Sequence, residues 1–290
     1  EHHRKVKGSV MALTSVPDPR RYGCIKVQDG VVVDIMEKPE VPEGNLVNAG
    51  AYILDPSIFD AIAETKKSVR GEYEITDSFR IMMGKSHLYT HLLTGEWMDV
   101  ARPWDLLDAN RILMEGLETR VEGEVSDKAT IVGEVEIGKG SEVLAGSYIV
   151  GPVIIGKDCV IGPNAYIRPS TCVCDGCKIG NAVEIKNSII MDGTKVPHLS
   201  YVGDSVIGER CNLGAGTKIA NLRLDEKEVM VVVDGKKTGS GRRKLGAIIG
   251  DDVKTGINAT IDVGTIIGEG SFIGMGALAK GTIAPGSKVF

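Results

Sequence analysis

From Ile131 onward the chain carries an aliphatic residue every six positions, through Ile137, Val143, Ile149, Ile155, Ile161, Ile167, Val173, Ile179 and Ile185, several of them followed by glycine. A spacing of six fits neither an amphipathic helix nor a lone alternating strand. It fits a chain that turns a corner after each short strand, as in the hexapeptide repeats of a β-helix. One such repeat cannot bury its apolar residue alone, so the coils must stack and share a core. The register runs on through Ile190, Val196, Val202, Ile207, Leu213 and Ile219, with two steps of five, then breaks and resumes at Ile249, Thr255, Ile261, Ile267, Ile273 and Ala279. Residues 220–246 are therefore an insertion, and long insertions in solenoids emerge on one face, often the binding face. Within it Glu228 to Val233, an Asp234-Gly235 turn and Lys236 to Thr238 predict a hairpin.

Residues 1–117 follow a different pattern. Strand-like segments at 10–16, 24–38 and 46–54 are punctuated by Pro17-Asp18-Pro19 and Asp29-Gly30, and Pro56 opens a predicted helix through Ile62. Pro103 starts another, whose stripe of Trp104, Leu107, Ile112, Leu113 and Leu117 leads into a charged link at 118–124. The fold class expected is thus a left-handed parallel β-helix at 125–290, preceded by a partial α/β, Rossmann-like domain at 1–117. That α/β part is short and rich in late strands, so its front is expected to be missing. Open sheet edges and exposed apolar surface are then expected, with partial disorder or an altered arrangement within it.

Composition narrows the function classes. With 42% hydrophobic and 25% charged residues the chain reads as a soluble globular protein. No apolar run approaches the ~18 residues of a membrane span, and the opening EHHRKVKG lacks a signal-peptide core. No membrane partner is expected, and the cytoplasm is the expected location. A net charge of −5 offers no general attraction to nucleic acid, so phosphates must be met by local Lys and Arg. Thirty-seven glycines and only 4% aromatics suit many tight corners around thin aliphatic coils. Cys159, Cys177 and Cys211 each stand four positions after a ladder aliphatic and read as small core residues. Cys172 and Cys174 flank Val173 and should face outward, and with no second CxxC or nearby histidine they do not complete a zinc set.

Along the α/β part, Tyr22-Gly23, Glu37-Lys38-Pro39, Asn48-Ala49-Gly50, Gly71-Glu72-Tyr73-Glu74 and Trp97-Met98-Asp99 occur in an order that resembles the second half of a sugar-1-phosphate nucleotidylyltransferase. The resemblance implies that Glu37 and Lys38 lie at a sugar-phosphate site, that Asn48 contacts the sugar, and that Asp99 holds Mg²⁺. A hard carboxylate and a lysine suit phosphoryl transfer, which is catalysed by positioning and charge stabilisation. Read without that order, Glu37-Lys38 is an exposed strand end and Asp99 a turn residue. Asp99-Val100-Ala101 departs from the family's usual Asp-x-Gly, and the Gly-rich triphosphate loop of the family's first half is absent. Nucleotidyl transfer is accordingly expected of the full-length protein and not of this chain alone.

The ladder holds one of the five histidines, His198, at its first irregularity. Arg168-Pro169, Gly180 to Lys186, Val196 to Asp204, Asn212 to Thr217 and Asn221 together resemble the acetyltransferase domain of the bifunctional N-acetylglucosamine-1-phosphate uridylyltransferases. The resemblance covers essentially residues 125–290. It implies transfer of an acetyl group from acetyl-CoA to an amino sugar 1-phosphate. His198 is the expected general base, since an imidazole can take the amine's proton near neutral pH. Glu184 is implied as the carboxylate that orients it. Arg168, Lys186 and Lys244 are the implied phosphate and sugar ligands, Tyr201, Asn212 and Asn221 the hydrogen-bonding partners of sugar and amine. Backbone N–H groups around Ala215 are the expected oxyanion donors, with Ile257 and Met275 beside the acetyl-CoA arm. The long insertion ending Gly241-Arg242-Arg243-Lys244-Leu245-Gly246, with Asn221 followed by Leu222 in place of an aromatic, resembles archaeal members. They accept more than one amino sugar phosphate, which makes glucosamine 1-phosphate the first expected substrate and galactosamine 1-phosphate the second.

The resemblance also implies a homotrimer, with acetyl-CoA sites between subunits. Against it stand the readings of His198 as a solvent-facing loop residue and of Arg168 and Lys186 as solvated charges. A competing function is nucleotidyl transfer alone, with the ladder serving oligomerisation or regulation. A metal-dependent hexapeptide enzyme needs three histidine ligands, and the ladder offers one.

Overall fold

The computed structural model describes residues 2–290, which divide into two units between Met98 and Asp99. In the first, five strands, β1 (Ser9–Ser15), β2 (Gly23–Gln28), β3 (Val31–Glu37), β4 (Leu46–Ile53) and β5 (Leu88–Leu92), close on themselves in the order β1-β4-β2-β3-β5. All pairings are antiparallel except β1 with β5, and β5 completes the ring by a single bridge from Tyr89 to Val31. The expected open sheet edges are therefore not observed: a chain that pairs its last strand with both its first and its third leaves no strand side unpaired. Inside, Met11, Leu13, Ile35 and Leu88 pack with Phe79 and Met82 of a helix at Ile75–Met83 and with Ile58 and Ala61 of a shorter one at Ile58–Glu64.

The second unit is a parallel β-solenoid. Its short strands stack into three parallel sheets of nine, eight and nine strands. The register is that of the ladder: Ile149, Ile167, Ile185 and Val202 lie one above another on the eight-stranded face, and Ile155, Val173, Ile190 and Ile207 on the third. All eight are essentially inaccessible, and burying such a side chain contributes roughly 1.5–3 kcal/mol. The slots four residues later hold Cys159, Cys177 and Cys211, buried as expected, while Cys172 and Cys174 are half-exposed. Burial pushes the Cys211 thiol up to about 11.

Three features differ from the sequence expectations. The segment 118–124, read as a link, contains the strand Arg120–Val121, which pairs with Val135–Ile137 and begins the stacking. The helix Leu106–Leu113 packs within the solenoid unit. Its buried stripe runs through Trp104, Leu107 and Met114, whereas Leu113 is exposed. Trp104 and Leu107 pack with Val206, Val229, Val231 and Leu245, against Ile189, Ile248 and Ile266 of the third face. A helical stripe announces an apolar partner, but only the fold says which surface supplies it. The predicted hairpin forms as Met230–Val233 paired antiparallel with Lys236–Gly239, and it lies within the insertion that helps cover this face. No helix among the described residues is long and apolar enough to cross a membrane.

Candidate active site

His198 ends the strand Lys195–His198 and opposes Asn181 of the coil below. Each corner along this edge is tied by the same bond, in which the residue after the corner donates its N–H to the carbonyl one coil down. Leu199 donates to Asn181 (3.0 Å), Gly216 to His198 (3.1 Å), Asn258 to Ala215 (2.8 Å) and Gly276 to Ile257 (2.9 Å). His198, Ala215, Ile257 and Met275 consequently form one column, at the ~4.8 Å spacing of stacked strands. Four residues from separate sequence motifs thus share one edge of the solenoid. The His198 ring is exposed and engages in no hydrogen bond among the described residues. In the Gly214-Ala215-Gly216 turn, Gly214 and Gly216 donate their N–H groups to Thr255 and His198. The Ala215 N–H has no acceptor among the described residues, which leaves it available to an incoming oxygen. Ile257 and Met275 are exposed further along the column.

The polar cluster occupies the adjoining eight-stranded face. There Tyr166, Glu184, Tyr201 and Lys218 are register partners, and so are Lys186 and Gly203. Arg168 Nη1 donates to Glu184 Oε1 at 2.9 Å, and its guanidinium lies 5.7 Å from the Tyr166 ring centroid. The hydrogen bond to Glu184 holds the Arg168 pKa above its ordinary value. The expected bond from Glu184 to His198 is not observed: the carboxylate is taken by the stronger donor beside it, a guanidinium one coil away. Burial pushes the Tyr201 phenol pKa up.

Asn212 faces outward between Lys195 and Lys254 on the nine-stranded sheet that also carries His198, so a single chain does not bring it into the Arg168, Lys186 and Tyr201 cluster. Lys244 lies on the returning limb of the insertion, bridged to Leu222. With Asp108, Asp204 and residues 241–243 it lines an open cleft of about 400 Å³.

In the first unit, Glu37 ends β3 with its carboxylate 3.6 Å from Arg70 and 4.0 Å from the Lys38 ammonium, and Arg70 reaches Glu74 at 2.6 Å. Asn48 Nδ2 donates to the Tyr52 hydroxyl at 2.6 Å while its oxygen accepts from the Gly50 N–H. Arg70, which the motif reading passed over, is the cation at the centre of this group. Asp99 belongs to the second unit and is exposed. No set of three or more His, Cys, Asp or Glu among the described residues is arranged to hold a metal. Asp99 offers one hard oxygen ligand, which suits Mg²⁺ only where substrate phosphates complete the shell.

Family models match both halves in this order. The family model for nucleotidyl transferases matches residues 1–116, that for the GMPPB C-terminal domain 149–255, and a hexapeptide repeat of succinyl-transferase 246–278. A bifunctional sugar-1-phosphate nucleotidylyltransferase/acetyltransferase of Sulfurisphaera tokodaii is 45% identical over 97% of this chain and 71% of its own length. The bifunctional protein GlmU of Methanocaldococcus jannaschii is 44% identical over 100% of this chain and 71% of its own. The chain belongs to the family of bifunctional sugar-1-phosphate nucleotidylyltransferase/acetyltransferases. A low-salt glycan biosynthesis nucleotidyltransferase of Haloferax volcanii is similar over less, at 35% identity across 72% of this chain and 58% of its own length.

One residue of this family member's polar cluster escaped the sequence reading. Asp204, almost wholly buried and in the left-handed backbone region at φ 51°, accepts from Lys186 Nζ (3.3 Å), Asn187 Nδ2 (2.7 Å) and Asn221 Nδ2 (2.5 Å). Its main-chain oxygen accepts from Gly246 at 2.8 Å. A Cβ at Gly246 would fall 2.2 Å from the Gly203 carbonyl, so glycine alone lets the insertion return this closely. No local signal in the sequence singled it out, since non-glycine residues such as Asn187, Leu199 and Arg210 hold other left-handed corners of the solenoid.

Proposed function

We propose that this chain transfers the acetyl group of acetyl-CoA to the amine of an amino sugar 1-phosphate, glucosamine 1-phosphate first and galactosamine 1-phosphate second. The observation that carries the reading is the column of His198 and a free Ala215 N–H beside the face bearing Arg168, Lys186, Tyr201 and Asn221. On this reading His198 accepts the proton as the amine nitrogen bonds to the thioester carbon. Ala215 donates to the developing oxyanion, the C–S bond breaks, and the departing thiolate is protonated. Arg168 and Lys186 supply positive charge for the sugar phosphate, with Lys244 on the insertion facing the same cleft. Ile257 and Met275 line the acetyl-CoA arm, and Asn212 serves a site completed by a neighbouring chain.

The first unit, in turn, contributes Glu37, Lys38 and Asn48 to a sugar-phosphate site for nucleotidyl transfer in the full-length protein, a reaction for which the resemblance names Asp99 as the Mg²⁺ ligand. Two assays separate the activities. Thiol release from acetyl-CoA is measured on this chain with a panel of amino sugar 1-phosphates, and pyrophosphate release from nucleoside triphosphates on the full-length protein. Thiol release is expected with one or both named substrates. Its absence across the panel, with pyrophosphate released, would instead favour a nucleotidylyltransferase whose solenoid serves assembly.

The outward polar faces and a site split between Asn212 and Tyr201 support a trimer around a three-fold axis. Sedimentation equilibrium should return three times the 30.9 kDa chain mass; a monomer that retains full acetyl transfer would refute the shared site.

A further inference from the structure

Asn221 stands where the insertion leaves the solenoid, and its side chain is oriented by its surroundings. Its Nδ2 lies 2.5 Å from Asp204 Oδ2 and 3.1 Å from the Tyr201 hydroxyl. An amide nitrogen has two hydrogens, and these two oxygens take both. The reverse orientation would set the amide oxygen against a carboxylate, two acceptors with no hydrogen between them. The side-chain oxygen of Asn221 is therefore left outside this arrangement, with no hydrogen bond among the described residues. Asp204 also draws in Lys186 and Asn187 from the coil below. Its main chain receives Gly246 while that of Asn221 receives Leu245 at 3.0 Å, so both ends of the insertion converge on this pair.

We infer that Asp204 is the positioning residue for the acetyl acceptor: by claiming the Asn221 amide hydrogens it turns the Asn221 carbonyl oxygen toward the substrate, where it accepts an N–H of the reacting amine. The inference rests on the acetyl-transfer reading above and adds a specific job to one buried carboxylate. An amine held through one N–H keeps its lone pair free for the thioester and its remaining proton free for His198. The role assigned to Asp204 concerns the acceptor alone. The expected signature is accordingly confined to the acceptor.

The test is steady-state thiol release by the whole chain, with glucosamine 1-phosphate and acetyl-CoA varied in turn. Asp204→Asn keeps a side chain that tolerates the left-handed backbone and keeps both main-chain bonds. It is expected to raise KM for the sugar phosphate by about 10-fold or more, the scale of a lost charge-assisted hydrogen bond, with KM for acetyl-CoA within twofold of wild type. Combined with Asn221→Ala it should cost no more than the worse single variant, since both act on one contact. A merely structural role would move both KM values and add across the pair. An unchanged sugar-phosphate KM in Asp204→Asn, with wild type active, overturns the positioning role and leaves the acetyltransferase reading standing. A wild type that releases no thiol with any amino sugar phosphate overturns both. Should Asp204→Asn not fold, Asn221→Asp probes the contact from the other side: it keeps an acceptor oxygen but cannot donate to Asp204. A loss of about 10-fold or more is expected there, and full retention of the sugar-phosphate KM would overturn the proposal.

Discussion

Replacing His198 by alanine is expected to lower the rate of thiol release from acetyl-CoA by about 10²- to 10⁴-fold, the usual contribution of a positioned general base. The thermal midpoint should stay where it is. The ring is exposed and bonds to nothing among the described residues, and the part of His198 that the fold uses is its main-chain oxygen, which accepts from Gly216 and survives in alanine. KM values should change little, because proton removal belongs to the transition state and not to ground-state binding. The comparison is of kcat for the two proteins at saturating substrates, with a thermal melt of each. A variant within threefold of wild type would remove His198 from the role of base and return it to the class of solvent-facing loop residues.

Gly180→Ala should have the largest effect on stability. A Cβ at this position would lie 1.8 Å from the Pro197 carbonyl oxygen and 2.6 Å from its carbon. Both are main-chain atoms of the strand that ends in His198, so neither can swing aside as a side chain would. Backbone displacement in a packed solenoid is expected to cost ~3 kcal/mol or more, a fall of about 6–12 °C in thermal midpoint for a unit of this size. Acetyl transfer should fall with it, because the displaced strand carries His198. Calorimetry of the variant beside Gly95→Ala, where an added Cβ meets open space, provides the measurement. Equal midpoints for the two would contradict the clash.

Much of the candidate site's geometry was legible in the sequence because a repeat protein converts sequence spacing into spatial address. His198, Ala215, Ile257 and Met275 share a column since each coil returns the chain to the same corner, so positions one coil apart are neighbours. The same logic set Arg168 beside Glu184 and Lys186, and the outward cysteines apart from the buried ones. Glu184 shows where it stops. The ladder put this carboxylate within reach of several donors, and the guanidinium of Arg168 won it. Asn212 and Tyr201 likewise look close in sequence yet stand on different faces, because a corner lies between them.

By itself, the sequence determined the solenoid, its register, the place of its insertion and the family of transferases to which the chain belongs, since period, glycine corners and motif order are all local or repeating signals. Only the tertiary structure decided which partner each polar group takes. The insertion comes back through Gly246 onto Asp204, a closure across dozens of residues that no period encodes. The helix at Leu106–Leu113 turns its stripe to the solenoid, and the strands of the first unit close into a ring. Each of these is settled by burial and by competition among donors for one acceptor, quantities that exist only once distant segments have met.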